Sequence, residues 1–124
     1  MRKVFYNKLI RDEVELKMRN LGIAFEVKKL NNKDFIKSLA DKISEEALGV
    51  SRSKNKKELL QELADLEIVL DEFKKVMKIN TFELRLAKKE NLKNKGGFLK
   101  KLWLVWSEDN GYKSNERESK KKVK

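Results

Sequence analysis

Residues 43–50 read Ile43-Ser44-Glu45-Glu46-Ala47-Leu48-Gly49-Val50. Residues 57–73 read Lys57-Glu58-Leu59-Leu60-Gln61-Glu62-Leu63-Ala64-Asp65-Leu66-Glu67-Ile68-Val69-Leu70-Asp71-Glu72-Phe73. A polar, basic stretch of six residues, 51–56, separates them. Each run carries apolar residues at helical spacing, and so short a connection makes the two helices antiparallel neighbours. Glu62 and Asp65 are three residues apart and share a helix face. Glu45 and Glu46 adjoin the apolar positions Ile43, Ala47 and Val50. Carboxylates beside a core are costly unless a partner compensates them. Surface lysines are one such partner, and a divalent cation is the other.

Composition narrows the chemistry. The chain has 124 residues, 40% hydrophobic and 41% charged, with no proline and 5 glycines. That is the length of one domain, and the scarcity of turn formers favours helix. Histidine and cysteine are both absent, which excludes a Ser-His-Asp triad, a thiol nucleophile, disulfides and an ordinary zinc site. Carboxylates and lysines remain, and carboxylate oxygens suit Mg²⁺ or Mn²⁺. The net charge of +11 describes either a solvated lysine-rich surface or one that meets a polyanion. No apolar run is long enough to span a membrane, and a cytoplasmic location is expected.

Outward from the two helices, the expected fold is mainly α: an antiparallel helical bundle with a small two-stranded β ribbon. Asp12 is placed as the N-cap of a first helix carrying Val14, Met18 and Leu21, which Gly22 ends. Residues 23–30 alternate as a half-buried strand. The next helix covers about residues 33–50, capped by Asn31 or Asn32, with Ile36, Leu39 or Ala40, Ile43, Ala47 and Val50 as its stripe. Its partner covers about residues 57–78, with Leu59, Leu63, Leu66, Val69 or Leu70, Phe73 and Met77. Asn80 and Glu83 form a capping-box pair for a basic helix to about Lys93, which Gly96-Gly97 ends. Residues 98–107, with Trp103 and Trp106, read as the second strand of the ribbon. The domain is expected over 1–108. Residues 109–124 form a basic tail with little to bury, expected to be disordered and to support at most weak non-specific contact with nucleic acid.

These motifs carry a resemblance. Tyr6-Asn7-Lys8-Leu9-Ile10-Arg11-Asp12, then Glu45-Glu46, then Glu62-Leu63-Ala64-Asp65, then Gly96-Gly97-Phe98 follow one another in order. In this the chain resembles the all-α nucleoside triphosphate pyrophosphohydrolase superfamily, the MazG-like and phosphoribosyl-ATP pyrophosphohydrolase-like proteins, over about residues 4–107. It is most similar to the small single-domain members that open with a Tyr-Asn-Lys-Leu-x-Arg-Asp motif. The resemblance implies Mg²⁺-dependent hydrolysis of a nucleotide between its α and β phosphates, giving a monophosphate and pyrophosphate. It implies Glu46, Glu62 and Asp65 as metal ligands and Glu45 as a further ligand or the group that orients the attacking water. Lys8, Arg11 and Lys88 become candidates for substrate phosphates. For Lys8 and Arg11 the competing reading is a pair of salt bridges that dock the N-terminal segment. A homodimer or homotetramer is the assembly that the resemblance implies.

The chain departs from that pattern in three places. Gly49 stands where the second acid of a Glu-Glu-x-x-Glu motif falls, which removes one of four usual ligands. A helical glycine also costs about 1 kcal/mol relative to alanine. Glu58, one turn before Glu62, is a candidate replacement. Asn91 stands near a position where relatives carry lysine, and Lys88, Lys89, Lys93 or Lys95 are candidates to substitute for it. Glu15 takes the place of a proline in the first helix. The alternative to an enzyme is a regulatory module of the same fold that has lost catalysis and binds a nucleotide or nucleic acid.

Overall fold

The structure is a computed structural model and describes residues 2–109. It contains four helices: α1 Asp12–Asn20, α2 Asn32–Ser51, α3 Lys56–Val76 and α4 Thr81–Lys95. The chain divides into two units, Met1–Ala87 and Lys88–Lys124. The expectation of a basic tail after residue 109 lies outside the described residues.

Side-chain caps set where the two long helices begin. The Asn31 carboxamide accepts from the Asp34 N–H at 2.8 Å to open α2. The Asn55 carboxamide accepts from the Glu58 N–H at 2.9 Å to open α3. Each satisfies a donor that has no partner inside the helix. The capping box at α4 forms in both directions: the Glu83 N–H donates to Asn80 at 2.7 Å, and the Asn80 N–H donates to Glu83 at 3.0 Å.

At α1 the cap differs from expectation. Arg11 is the N-cap and Asp12 is the first helical residue. No side chain caps this end, but Asp12, Glu13 and Glu15 all lie in the first turn, where the helix dipole favours negative charge. Gly22, at φ +70°, ends α1 as expected. The Ile23 N–H bonds back to Met18 and the Gly22 N–H to Arg19, at 3.2 and 3.1 Å, the pattern of a Schellman turn. The same turn ends α3 with Lys78, not glycine, in the left-handed position at φ 57°.

The α2–α3 hairpin is the one helix pair in contact among the described residues. Its inward positions run at alternating spacings of three and four. On α2 they are Ile36, Leu39, Ile43, Glu46 and Val50; on α3 they are Leu59, Glu62, Leu66, Val69, Phe73 and Val76. Among the described residues, only Leu39 and Val69 are buried outright. Ala40 and Ala47, which the sequence had offered for the α2 stripe, are exposed. Glu46 takes the inward position beside Ala47.

The ribbon is a correction. No described residue is in a strand, and residues 23–30 and 102–109 carry no regular structure. Alternation identifies a chain suited to a strand, but a strand exists only where a neighbouring backbone takes its N–H and C=O groups. Residues 23–30 keep Phe25 half-buried with Arg19 stacked 5.5 Å from the ring centre. Ile23 and Val27 stand exposed. In the second unit, Phe98, Trp103 and Trp106 are almost fully exposed.

Two outcomes follow. Leu39→Ala should destabilise the chain by about 2–4 kcal/mol, because it empties a filled site in a thin core. Lys78→Gly should stabilise it by about 1 kcal/mol, because glycine adopts the left-handed conformation without steric cost. Chemical denaturation monitored by circular dichroism reads both.

Candidate metal centre

The hairpin geometry brings Glu46 of α2 against Glu62 and Asp65 of α3. Each carboxylate offers one oxygen, and these oxygens all lie within 4.8 Å of one another. The local cause is the spacing itself. Glu46 and Glu62 occupy inward positions that leucine or isoleucine fills elsewhere along the same stripes, and Asp65 lies one helical turn from Glu62. All three are half-buried.

The electrostatics of the cluster follow from that placement. Burial pushes the Glu46 carboxyl above the ordinary carboxylate range, and Asp65, Glu62 and Glu45 add to the shift by repulsion. Lys42 opposes it, with Nζ 3.6 Å from a Glu46 oxygen and 3.2 Å from Glu45. Lys42 is itself mostly covered. Its spacing of three and four residues from the two acids was a legible signal, because those positions face each other on a helix.

Glu45 stands apart from the three-acid cluster. Its two oxygens face lysines: Lys8 donates to one at 2.8 Å and Lys42 lies against the other. The Lys8 hydrogen bond holds the Glu45 carboxyl below its usual range, with Lys42 acting in the same direction and burial against it. The same bond raises the Lys8 ammonium. Arg11 reaches α3, where its guanidinium lies 3.6 Å from an Asp65 oxygen. Residues 8–11 therefore strap across both helices, with Leu9 half-buried between the two cations. A left-handed backbone at Asn7, φ 47°, redirects the chain just before Lys8; asparagine tolerates that conformation better than most residues. For Lys8 and Arg11 the structure thus forms the docking salt bridges weighed from the sequence.

Glu58, the candidate replacement ligand, is not among the three clustered acids. Its carboxylate accepts from the Lys54 N–H at 2.9 Å at the start of α3, and its own N–H is held by Asn55. Lys88 lies on α4, in the second unit.

The donor set fits a hard divalent cation. It consists of carboxylate oxygens from two helices, the chemistry that Mg²⁺ and Mn²⁺ prefer. The backbone at Gly49 adds a cradle that a β-carbon would fill, and the Glu62 carboxylate lies in it. Comparison of the chain with protein-family models, with curated proteins and with solved structures finds no match.

The Glu46 shift fixes the sign of a pH effect. A carboxyl whose folded pKa lies above its unfolded value makes the folded state more stable as pH falls through that raised value, and less stable as pH rises through it. In chelator-treated protein, Glu46→Gln should therefore raise the thermal midpoint at neutral pH. The gain should shrink towards about pH 4, where the unfolded carboxyl also protonates. Differential scanning calorimetry at the two pH values checks this.

Proposed function

We propose that the chain is a Mg²⁺-dependent nucleotide pyrophosphohydrolase, cleaving the α–β phosphate bond of a nucleoside triphosphate or similar nucleotide. The observation that carries the reading is the convergence of Glu46, Glu62 and Asp65 on one point of the hairpin. The order of the Tyr-Asn-Lys-Leu-Ile-Arg-Asp, Glu-Glu, Glu-x-x-Asp and Gly-Gly-Phe motifs supports it. So does the all-helical architecture.

On this reading Glu46, Glu62 and Asp65 hold the cation, with Mn²⁺ as the alternative to Mg²⁺. A cation held by these carboxylates would supply neutralisation of phosphate oxygens and activation of water. Glu45 stays ionised between Lys8 and Lys42, which suits a carboxylate that orients or accepts a proton from water at the edge of the cluster. Lys8 and Arg11 each neutralise an acid of the hairpin, and both lie at the surface, where they can exchange a carboxylate for a phosphate oxygen. Lys88 is assigned to the substrate on the resemblance alone.

The same reading places the hairpin in a larger helical bundle completed by a second copy. A core with two buried residues among those described is thin for a stable chain. Leu48 on α2 and Leu60 and Ile68 on α3 are large, apolar and exposed, hydrocarbon that association with a second copy would cover.

Hydrolysis is tested by incubating the protein with a panel of nucleoside triphosphates and Mg²⁺ or Mn²⁺, then separating monophosphate and pyrophosphate by ion-exchange chromatography. Activity that is abolished by chelator and reduced at least 100-fold in Glu62→Gln is expected, because a ligand carboxylate is lost. No turnover with any nucleotide, from protein shown to be folded, rejects the reading. If the same protein nevertheless binds a nucleotide, the regulatory-module alternative takes its place.

A further inference from the structure

Gly49 stands in the last turns of α2 and is unlike the other described glycines. Gly22 and Gly96 have positive φ values, and an added β-carbon would meet nothing at either. Gly97 likewise faces open space. Gly49 has helical backbone, where helix propensity favours almost any residue over glycine. Its backbone conformation therefore gives no reason for glycine. Its surroundings do. A β-carbon on Gly49 would lie 2.9 Å from Cδ of Glu62 and closer still to one of its carboxylate oxygens. The Glu62 head group thus rests directly on the α2 backbone, in the volume a side chain at 49 would take.

We infer that Gly49 is a positioning residue: its missing side chain seats the Glu62 carboxylate against α2, where it meets Glu46 and Asp65 to complete the cation centre. This rests on the metal-centre reading given above. The missing acid at 49 and the position of Glu62 are then one feature. An acid at this position and Glu62 in its present seat exclude each other, so the glycine is an alternative construction of the centre and not merely a lost ligand. The atoms in conflict belong to the far end of a flexible side chain, so a methyl group at 49 displaces the carboxylate and leaves the helix packing intact.

The test separates stability from cation binding in the full-length chain. Wild type, Gly49→Ala, Glu62→Asp and the double variant are stripped with chelator, and Mn²⁺ is titrated in at fixed ionic strength with electron paramagnetic resonance reporting free ion. Thermal midpoints are recorded without metal. Gly49→Ala should melt at or above the wild-type temperature, because alanine is the better helix former. Its affinity for Mn²⁺ should fall about 10- to 100-fold, the usual loss when a ligand's orientation is disturbed. Glu62→Asp withdraws the carboxylate by one methylene. Adding Gly49→Ala to it should therefore cost clearly less affinity than the same substitution costs wild type, a coupling the double-mutant cycle reads.

Wild-type Mn²⁺ affinity in Gly49→Ala would overturn the inference while leaving the metal centre standing. Equal losses from Gly49→Ala in both backgrounds, or a lowered midpoint, would overturn it too, since the substitution would then act on something other than the Glu62 seat. Failure of wild type to bind Mn²⁺ would remove the metal centre itself, and this inference with it.

Discussion

One layer of the α2–α3 interface is made of carboxylates where hydrocarbon would be expected. Glu46 and Glu62 hold inward positions on the two helices, and Asp65 lies beside them. The rest of the first unit can be read as a response to that layer. Like charges this close repel, and their partial removal from water adds to the cost. Lys42 reaches in from α2, Arg11 reaches Asp65 from the N-terminal segment, and Lys8 occupies the neighbouring Glu45. The apolar positions along the two stripes, with Leu39 and Val69 the most deeply buried of the described residues, supply the burial that holds the two helices together in spite of it.

The hairpin was legible in the sequence because it depends on local rules. Asn31 is a good N-cap, the connection is short, and the apolar residues repeat with the helical period. The pairing of Glu62 with Asp65 was legible for the same reason, since the two share a face whatever the helix packs against. The choice between Glu46 and Ala47 as the inward residue was not legible. Adjacent positions on a helix differ by a fraction of a turn, and hydrophobicity alone prefers the alanine. Only the register of α2 on α3 decides it.

The misreadings share a physical cause: each depended on a partner that sequence does not name. Residues 23–30 and 98–107 have the side chains of strands, but a strand needs a neighbour to bond with. Asp12 has the chemistry of a cap, yet the α1 boundary falls one residue earlier, at Arg11, whose side chain is engaged with Asp65. Glu58 is close to Glu62 in sequence and lies one turn away on the same helix. Its carboxylate accepts from the Lys54 N–H, a donor just before the helix, and stands outside the three-acid cluster. Gly49 could be counted as a missing ligand from the sequence. That its place is taken by Glu62 is visible only once the two helices are set side by side.

The strap formed by residues 8–11 has a consequence for any solution in which the protein is handled. Its two ion pairs are exposed on both sides, so dissolved ions compete for the same charges and shield them over a Debye length of about 8 Å at physiological ionic strength. Half-buried Leu9 is the contact in it that salt does not weaken. Rising salt therefore loosens the strap while leaving the hairpin beneath it in place, since the hairpin rests on caps and apolar burial. The background electrolyte thereby becomes a variable of the acid cluster in its own right, because it sets how firmly Arg11 engages Asp65.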